Sequence, residues 1–136
     1  MKEFVLDANA LVRLYRDAPG ADSVADLVRQ AKSGRAHLSI SVVNLTEVLY
    51  ILARYFGNEK ALLCIDKALR AVEAVSVDDQ IALDTGILRI KYKLGLADCF
   101  AAELAMRKGA TLVTADPEFA KLGKQLKVLA LPRHSA

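Results

Sequence analysis

The feature that most constrains this chain is its first short run, Phe4-Val5-Leu6, which is wholly apolar and closes on the carboxylate of Asp7. So short a run of β-formers, with no polar alternation, reads as a strand buried on both faces, as in a parallel sheet. Four more strand candidates follow: His37 to Ile40, Val72 to Val77, Thr111 to Thr114 and Lys127 to Leu131. Between them the apolar residues recur at helical spacing. Leu11, Leu14 and Tyr15 open a helix that breaks at Asp17 to Gly20, and Val24, Leu27, Val28 and Ala31 mark a second that ends near Ser33-Gly34. Ser41 caps a third, with Val42, Leu45, Val48, Leu49, Leu52 and Phe56 as its stripe. Glu59 to Ala71 is expected to turn Leu62, Leu63, Ile65, Ala68 and Leu69 inward. Asp78 caps a helix in which Leu83, Ile87, Ile90 and Leu94 share one face, and Asp98 to Lys108 and Pro117 to Leu122 are two shorter helices.

Strands separated by helices predict an α/β fold of three layers, α/β/α, around a mainly parallel five-stranded sheet with right-handed crossovers. With 136 residues, 54% of them hydrophobic, the chain is expected to form one domain over residues 1–136, with Pro132 to Ala136 as a frayed tail. No apolar run approaches the roughly 20 residues of a membrane span, so no membrane association is expected. Met1-Lys2-Glu3 leads directly into the first strand without a signal segment, which predicts a cytoplasmic location. Cys64 and Cys99 stand among aliphatic neighbours and read as small buried hydrophobes. A net charge of +3 is compatible with a polyanionic partner but does not establish one.

Open α/β folds place their ligands beyond the carboxyl ends of the strands, so the acids there matter most. Asp7 and Asp116 each follow a strand and precede a helix, and Pro117 suits a first helical position. Singly, either acid is explained as a helix cap worth about 1 kcal/mol. Asp98 alone also reads as a cap or a partner of the helix dipole, although Ala101, Ala102 and Ala105 on its side let the helix lie close on the sheet. Glu47 projects away from Leu45, Leu49 and Leu52, yet Val43, Tyr50 and Ile51 flank it, so its helix is apolar on nearly all sides and buried on two faces. A Glu in such a band is rarely buried without a partner. Two carboxylates about 4 Å apart repel by about 4 kcal/mol at an effective dielectric of about 20, more than a cap returns. Convergence of all four therefore requires a cation. Carboxylate oxygens without His or Cys suit Mg²⁺ or Mn²⁺, ions that usually act on phosphates.

Four ordered motifs carry a resemblance: Val5-Leu6-Asp7-Ala8-Asn9, Asn44-Leu45-Thr46-Glu47, Gly95 to Ala102 around Asp98, and Ala110 to Phe119 around Asp116. With them the chain resembles the PIN-domain ribonucleases and, among these, the single-domain VapC-type toxins of prokaryotic toxin and antitoxin pairs. The resemblance covers essentially the whole chain. It implies a PIN-like fold and a metal-dependent endoribonuclease that hydrolyses RNA phosphodiester bonds, with Asp7, Glu47, Asp98 and Asp116 as the catalytic quartet holding one or two Mg²⁺ or Mn²⁺ ions. Thr114 matches the family's Thr or Ser two residues before the last acid, and Asn9 falls where the family often has Ser or Thr. A small antitoxin partner and a homodimer are further implications.

For substrate contacts Lys91 and Lys93 are preferred, while Arg13, Arg54 and Arg107 could also line an RNA groove but mostly fit solvated faces. Glu103 and Glu118 fit solvated helix positions; Asp78, Asp79 and Asp84 read as a cap and a first-turn face; His37 reads as structural and His134 as a tail residue. Tyr50 and Tyr55 fit core or interface better than base-stacking platforms. Two other functions compete. One is a catalytically inactive PIN-like module for binding or dimerisation. The other is a receiver-like phosphoacceptor domain built on Val77-Asp78, which lacks an acidic pair after the first strand and has Lys127 at the start of the last one.

Overall fold

The structure, a computed structural model, describes residues 1–134. Ser135 and Ala136, the end of the expected tail, lie outside the described residues. Strands β1 (Lys2–Leu6), β2 (Ala36–Ser41), β3 (Val72–Val75), β4 (Thr111–Thr114) and β5 (Lys127–Ala130) form one sheet in the order β3-β2-β1-β4-β5. Every neighbouring pair is parallel. The helices are α1 (Ala8–Arg16), α2 (Ala21–Lys32), α3 (Val42–Phe56), α4 (Asn58–Ala68), α5 (Asp79–Tyr92) and α6 (Leu96–Lys108), and a 3-10 segment (Pro117–Gln125) broken at Gly123 precedes β5.

Strand alternation divides the core in two. Leu6, Leu38, Ile40 and Val113 pack with Leu11, Val24, Leu27, Val48 and Leu52 from α1, α2 and α3. Val5 and Leu112 face the opposite way, toward Cys99 and Leu104 of α6 and Phe119 of the 3-10 segment. The result is the expected three-layer α/β/α fold. From β1 the chain builds outward through β2 and β3, whereas β4 and β5 extend the sheet on the other side. The order therefore reverses between β1 and β4, where ligand crevices form in such sheets. Leu6 stands opposite Val113, and the Asp7 N–H donates to the Val113 carbonyl at 3.3 Å, so the residues leaving both strands emerge side by side.

Three apolar expectations are corrected by how the outer helices sit. On α5, Leu83, Ile87 and Ile90 are 67%, 61% and 77% exposed, and of the expected face only Leu94, beyond the helix, is buried. The inner line of α5 is instead Ile81, Thr85, Leu88 and Tyr92, with Thr85 fully buried and its hydroxyl returned to the Ile81 carbonyl. On α4, Leu62, Leu63 and Leu69 are exposed while Ala61, Cys64 and Ala68 are buried, because small side chains at that spacing let α4 lie close on its neighbours. Tyr50 and Tyr55 are exposed, which corrects the core half of their expectation and leaves the interface half standing.

Polar details follow the chain's local chemistry. Asp78 caps α5 by accepting from the Ile81 N–H at 2.8 Å. His37 bridges Glu3, at 2.9 Å, and Glu73, at 3.4 Å, across three adjacent strands. Glu103 departs from the solvated position expected of it: α6 is buried from Ala101 to Ala105, so Glu103 is enclosed and bonds Arg107, one turn on, at 2.9 Å.

Candidate acidic site

Asp7, Glu47, Asp98 and Asp116 all line one open cleft of about 480 Å³ at the carboxyl edge of the sheet. Each arrives by a different local device. Asp7 leaves β1 with extended backbone and caps α1, its Oδ1 accepting from the Ala10 N–H at 2.9 Å. Its Oδ2 accepts from the Thr114 hydroxyl, which in turn accepts from the Asp116 N–H at 3.0 Å. Thr114 thus joins the two acids that flank the β1 and β4 ends. Asp116 caps the 3-10 segment through the Glu118 N–H at 2.9 Å, with Pro117 directly after it. The cap role holds for both aspartates, and it is also what aims them.

Asp98 is not the cap of its helix. Gly95 takes that position and α6 starts at Leu96, which puts Asp98 third in the first turn. A Cβ on Gly95 would stand 3.2 Å from Asp98 Oδ2, so the bare glycine leaves room for this carboxylate to fold back over the helix start. Glu47 is half-buried on α3, and its Oε1 accepts from the Asn44 Nδ2 at 3.2 Å. The same Asn44 amide nitrogen donates to the Ala97 carbonyl at 3.0 Å, tying Glu47 to the turn that carries Asp98. Within its motif Asn44 carries no signature of its own, and the one sequence signal for it is a polar residue in line with the buried Val48 and Leu52.

The acids act on one another. Burial pushes Asp7 up to about 7 against the pull of its Thr114 and Ala10 hydrogen bonds, and the charges of Asp98 and Asp116 push the same way. Asp98 is raised to about 6, first by burial and then by Asp116, Glu47 and Glu118. Among the described residues none of the four is ion-paired to a Lys, Arg or His. This uncompensated, all-oxygen set fits a hard divalent cation. Among the described residues no three His, Cys, Asp or Glu side chains are drawn up tightly enough to hold an ion as they stand; the acids ring the cleft instead.

A family model described as "PIN domain" matches residues 4–125, a span that contains all four acids. The chain belongs to the PIN-domain family.

Solved structures similar to this PIN domain agree on the fold. Over 95% of this chain and 98% of the other, it matches a chain of VapBC2 from Rickettsia felis bound to a promoter DNA fragment, with 24% identity and a TM-score of 0.74. DNA-bound VapBC from Salmonella typhimurium matches at 21% identity and a TM-score of 0.74, over 96% and 98% of the two chains. VapC20 of Mycobacterium tuberculosis, a toxin that cleaves the sarcin-ricin loop, matches at 17% identity and a TM-score of 0.68, over 88% and 95%. A search of curated proteins found no match.

The basic residues around this PIN domain's cleft differ from those preferred in the sequence. Lys91 and Lys93 are exposed at the end of α5 and do not line it. Arg13, Arg16 and Arg133 do, together with Asn9, whose Oδ1 accepts from the Arg13 Nε at 2.8 Å. Arg54 lies over Tyr50 and Arg107 is held by Glu103. Glu118 is exposed and pairs with Lys121.

Proposed function

We propose that this PIN domain is a VapC-type, metal-dependent endoribonuclease that hydrolyses RNA phosphodiester bonds. The observation that carries the reading is the ring of four carboxylates, without a basic partner among the described residues, at the sheet's switch point. Asp7, Asp98 and Asp116 supply the principal oxygens for Mg²⁺ or Mn²⁺, and Glu47 completes the set directly or through water. When bound, such an ion activates water and stabilises charge on the scissile phosphate. The chain's own residues keep the geometry. Thr114 fixes the Asp7 carboxylate, Asn44 holds Glu47 against the start of α6, and one acid of the quartet orients or deprotonates the attacking water. Replacing Thr114 by Val is expected to slow cleavage about 10-fold to 100-fold, the usual cost of losing an outer partner of a metal ligand, while Thr114→Ser keeps most of the rate. Initial cleavage rates on a labelled RNA measure both.

The structural neighbours include toxin and antitoxin complexes, which supports a cognate antitoxin protein as partner. The exposed stripe Leu83, Ile87 and Ile90 on α5 supports a homodimer, since a contiguous apolar face of this kind tends to be covered. No helix among the described residues is long and apolar enough to cross a membrane, in keeping with a cytoplasmic site of action. Mapping RNA ends in cells after induction tests the activity. New ends are expected with the wild type and none with Asp7→Ala. Identical profiles from the two proteins overturn the reading and favour a catalytically inactive binding or dimerisation module.

A further inference from the structure

The acidic cleft continues between α1 and α3 into a basic mouth. Tyr55 lies a little over two turns beyond Glu47, about 12 Å along α3, and still borders the same cleft. Across from it on α1 stands Arg16, with its guanidinium carbon 3.6 Å from the centre of the Tyr55 ring. Stacking occupies the flat face of the guanidinium and leaves its donor edge open. Among the described residues Arg16 makes neither a side-chain hydrogen bond nor an ion pair. An arginine held by its face, with its donors unused, is prepared for an anion.

Arg13 is in the opposite state. It gives Nε to Asn9, Nη1 to the carbonyls of Pro19 at 2.7 Å and Pro132 at 2.9 Å, and Nη2 to the carbonyl of Arg133 at 3.5 Å. These bonds staple the stretch after β5 onto α1 and its following loop. The stretch is further anchored by buried Leu131, whose N–H donates to the Thr114 carbonyl at 2.7 Å. It passes so close to Gly20, where φ is +91°, that a Cβ there would stand 3.0 Å from the Leu131 Cβ. The consequence is a fixed backbone at Arg133, whose side chain lines the cleft with Asp116 and has no partner among the described residues.

We propose that Arg16 and Arg133 grip the RNA backbone phosphates on either side of the scissile bond, with Tyr55 and Arg13 as the residues that position them. The inference rests on the nuclease reading and names the side chains that hold its substrate. Four carboxylates repel an incoming strand, so its binding requires cations that those acids have not neutralised. Arg16 and Arg133 meet this condition, since neither is ion-paired to the quartet, and the arginine fork suits bidentate phosphate contact.

The test compares Arg16→Ala, Arg133→Ala, Arg13→Ala, Tyr55→Ala and Tyr55→Phe in two assays. Steady-state cleavage gives KM and kcat. Fluorescence anisotropy with a fluorescein-labelled single-stranded RNA, in an Asp116→Asn background, gives Kd as salt is varied. Arg16→Ala and Arg133→Ala are each expected to raise KM about tenfold with kcat little changed, and to flatten the slope of log Kd against log salt by about 0.7. Tyr55→Ala should behave like Arg16→Ala, whereas Tyr55→Phe, which keeps the stacking ring, should not. Arg13→Ala should raise KM and add nothing further in an Arg133→Ala background, because it acts through that residue. Lys91→Ala and Lys93→Ala should leave both readouts unchanged. Wild-type KM and salt slope in Arg16→Ala and Arg133→Ala overturn the grip while leaving the nuclease reading intact. If the wild type cuts no RNA, the nuclease reading falls, and the anisotropy arm still decides the grip: an unchanged Kd and slope overturn it.

Discussion

Asp116→Asn is expected to lose RNA cleavage by on the order of 10³-fold while folding as well as its parent. The two halves of this expectation come from different atoms. Asp116 Oδ1 caps the 3-10 segment by accepting from the Glu118 N–H, and an asparagine keeps that oxygen. Asn and Asp are about equal as caps, so the fold should change by less than about 0.5 kcal/mol. What asparagine removes is the negative charge facing Asp98 and Asp7, whose carboxyls both register it. Cleavage kinetics together with thermal denaturation measure both halves. Loss of activity with a large loss of stability would mean that Asp116 is a structural acid only, and wild-type cleavage would remove it from the site.

The second large effect is on stability, through protons and metal. Asp7, pushed up to about 7, and Asp98, raised to about 6, hold their protons more tightly in the folded protein than carboxyls at the ordinary value of 3.8. Folding is therefore favoured by proton uptake at these two groups. Their contribution is fully present below about pH 4 and is lost as pH rises through about 6 and 7. Metal-free protein should consequently melt higher at pH 5 than at pH 8, and Asp7→Asn should narrow that gap. Asparagine keeps the acceptor for the Ala10 N–H but no longer titrates. On the proposed function, a divalent cation is expected to replace the protons. Mn²⁺ at a hundredfold excess over its Kd should stabilise the protein at pH 8 by about 2.7 kcal/mol, or roughly 10 °C in Tm for a domain of this size. The same addition at pH 5 should do less, because bound protons compete with the ion. Thermal melts at the two pH values, with and without Mn²⁺, check this; a melting point indifferent to both would contradict the burial-raised carboxyls of Asp7 and Asp98 and their service to a cation.

Much of the fold was legible because its strands are short apolar runs whose ends are marked by Asp7 and Asp116. Helix starts at Ser41 and Asp78 were legible for the same local reason, a side chain that can cap. What failed was rotation about a helix axis. On α5 two apolar stripes compete, Ile81, Leu88 and Tyr92 against Leu83, Ile87 and Ile90, and spacing cannot say which one meets α6. On α4 the larger leucines suggested the buried side, but close packing selected Ala61, Cys64 and Ala68.

Within the site, the acids could be found one motif at a time, whereas their supports could not. Thr114 was suggested by its place two residues before Asp116, but its bond to Asp7 depends on β1 pairing with β4. Asn44 matters because α3 meets the start of α6, and Arg133 because Arg13 draws the stretch after β5 over α1. Lys91 and Lys93 looked well placed through their nearness in sequence to Asp98; both stand exposed at the end of α5, outside the residues that line the cleft. These are contacts between distant parts of the chain, decided by topology and not by local pattern.

The most direct measurement of the central claim, that Asp7, Glu47, Asp98 and Asp116 together hold a divalent cation, is a calorimetric titration of Mn²⁺ into the wild type and Asp98→Asn. A saturable isotherm in the wild type that is abolished or strongly weakened in Asp98→Asn is the predicted result. Superimposable isotherms from the two proteins would contradict it.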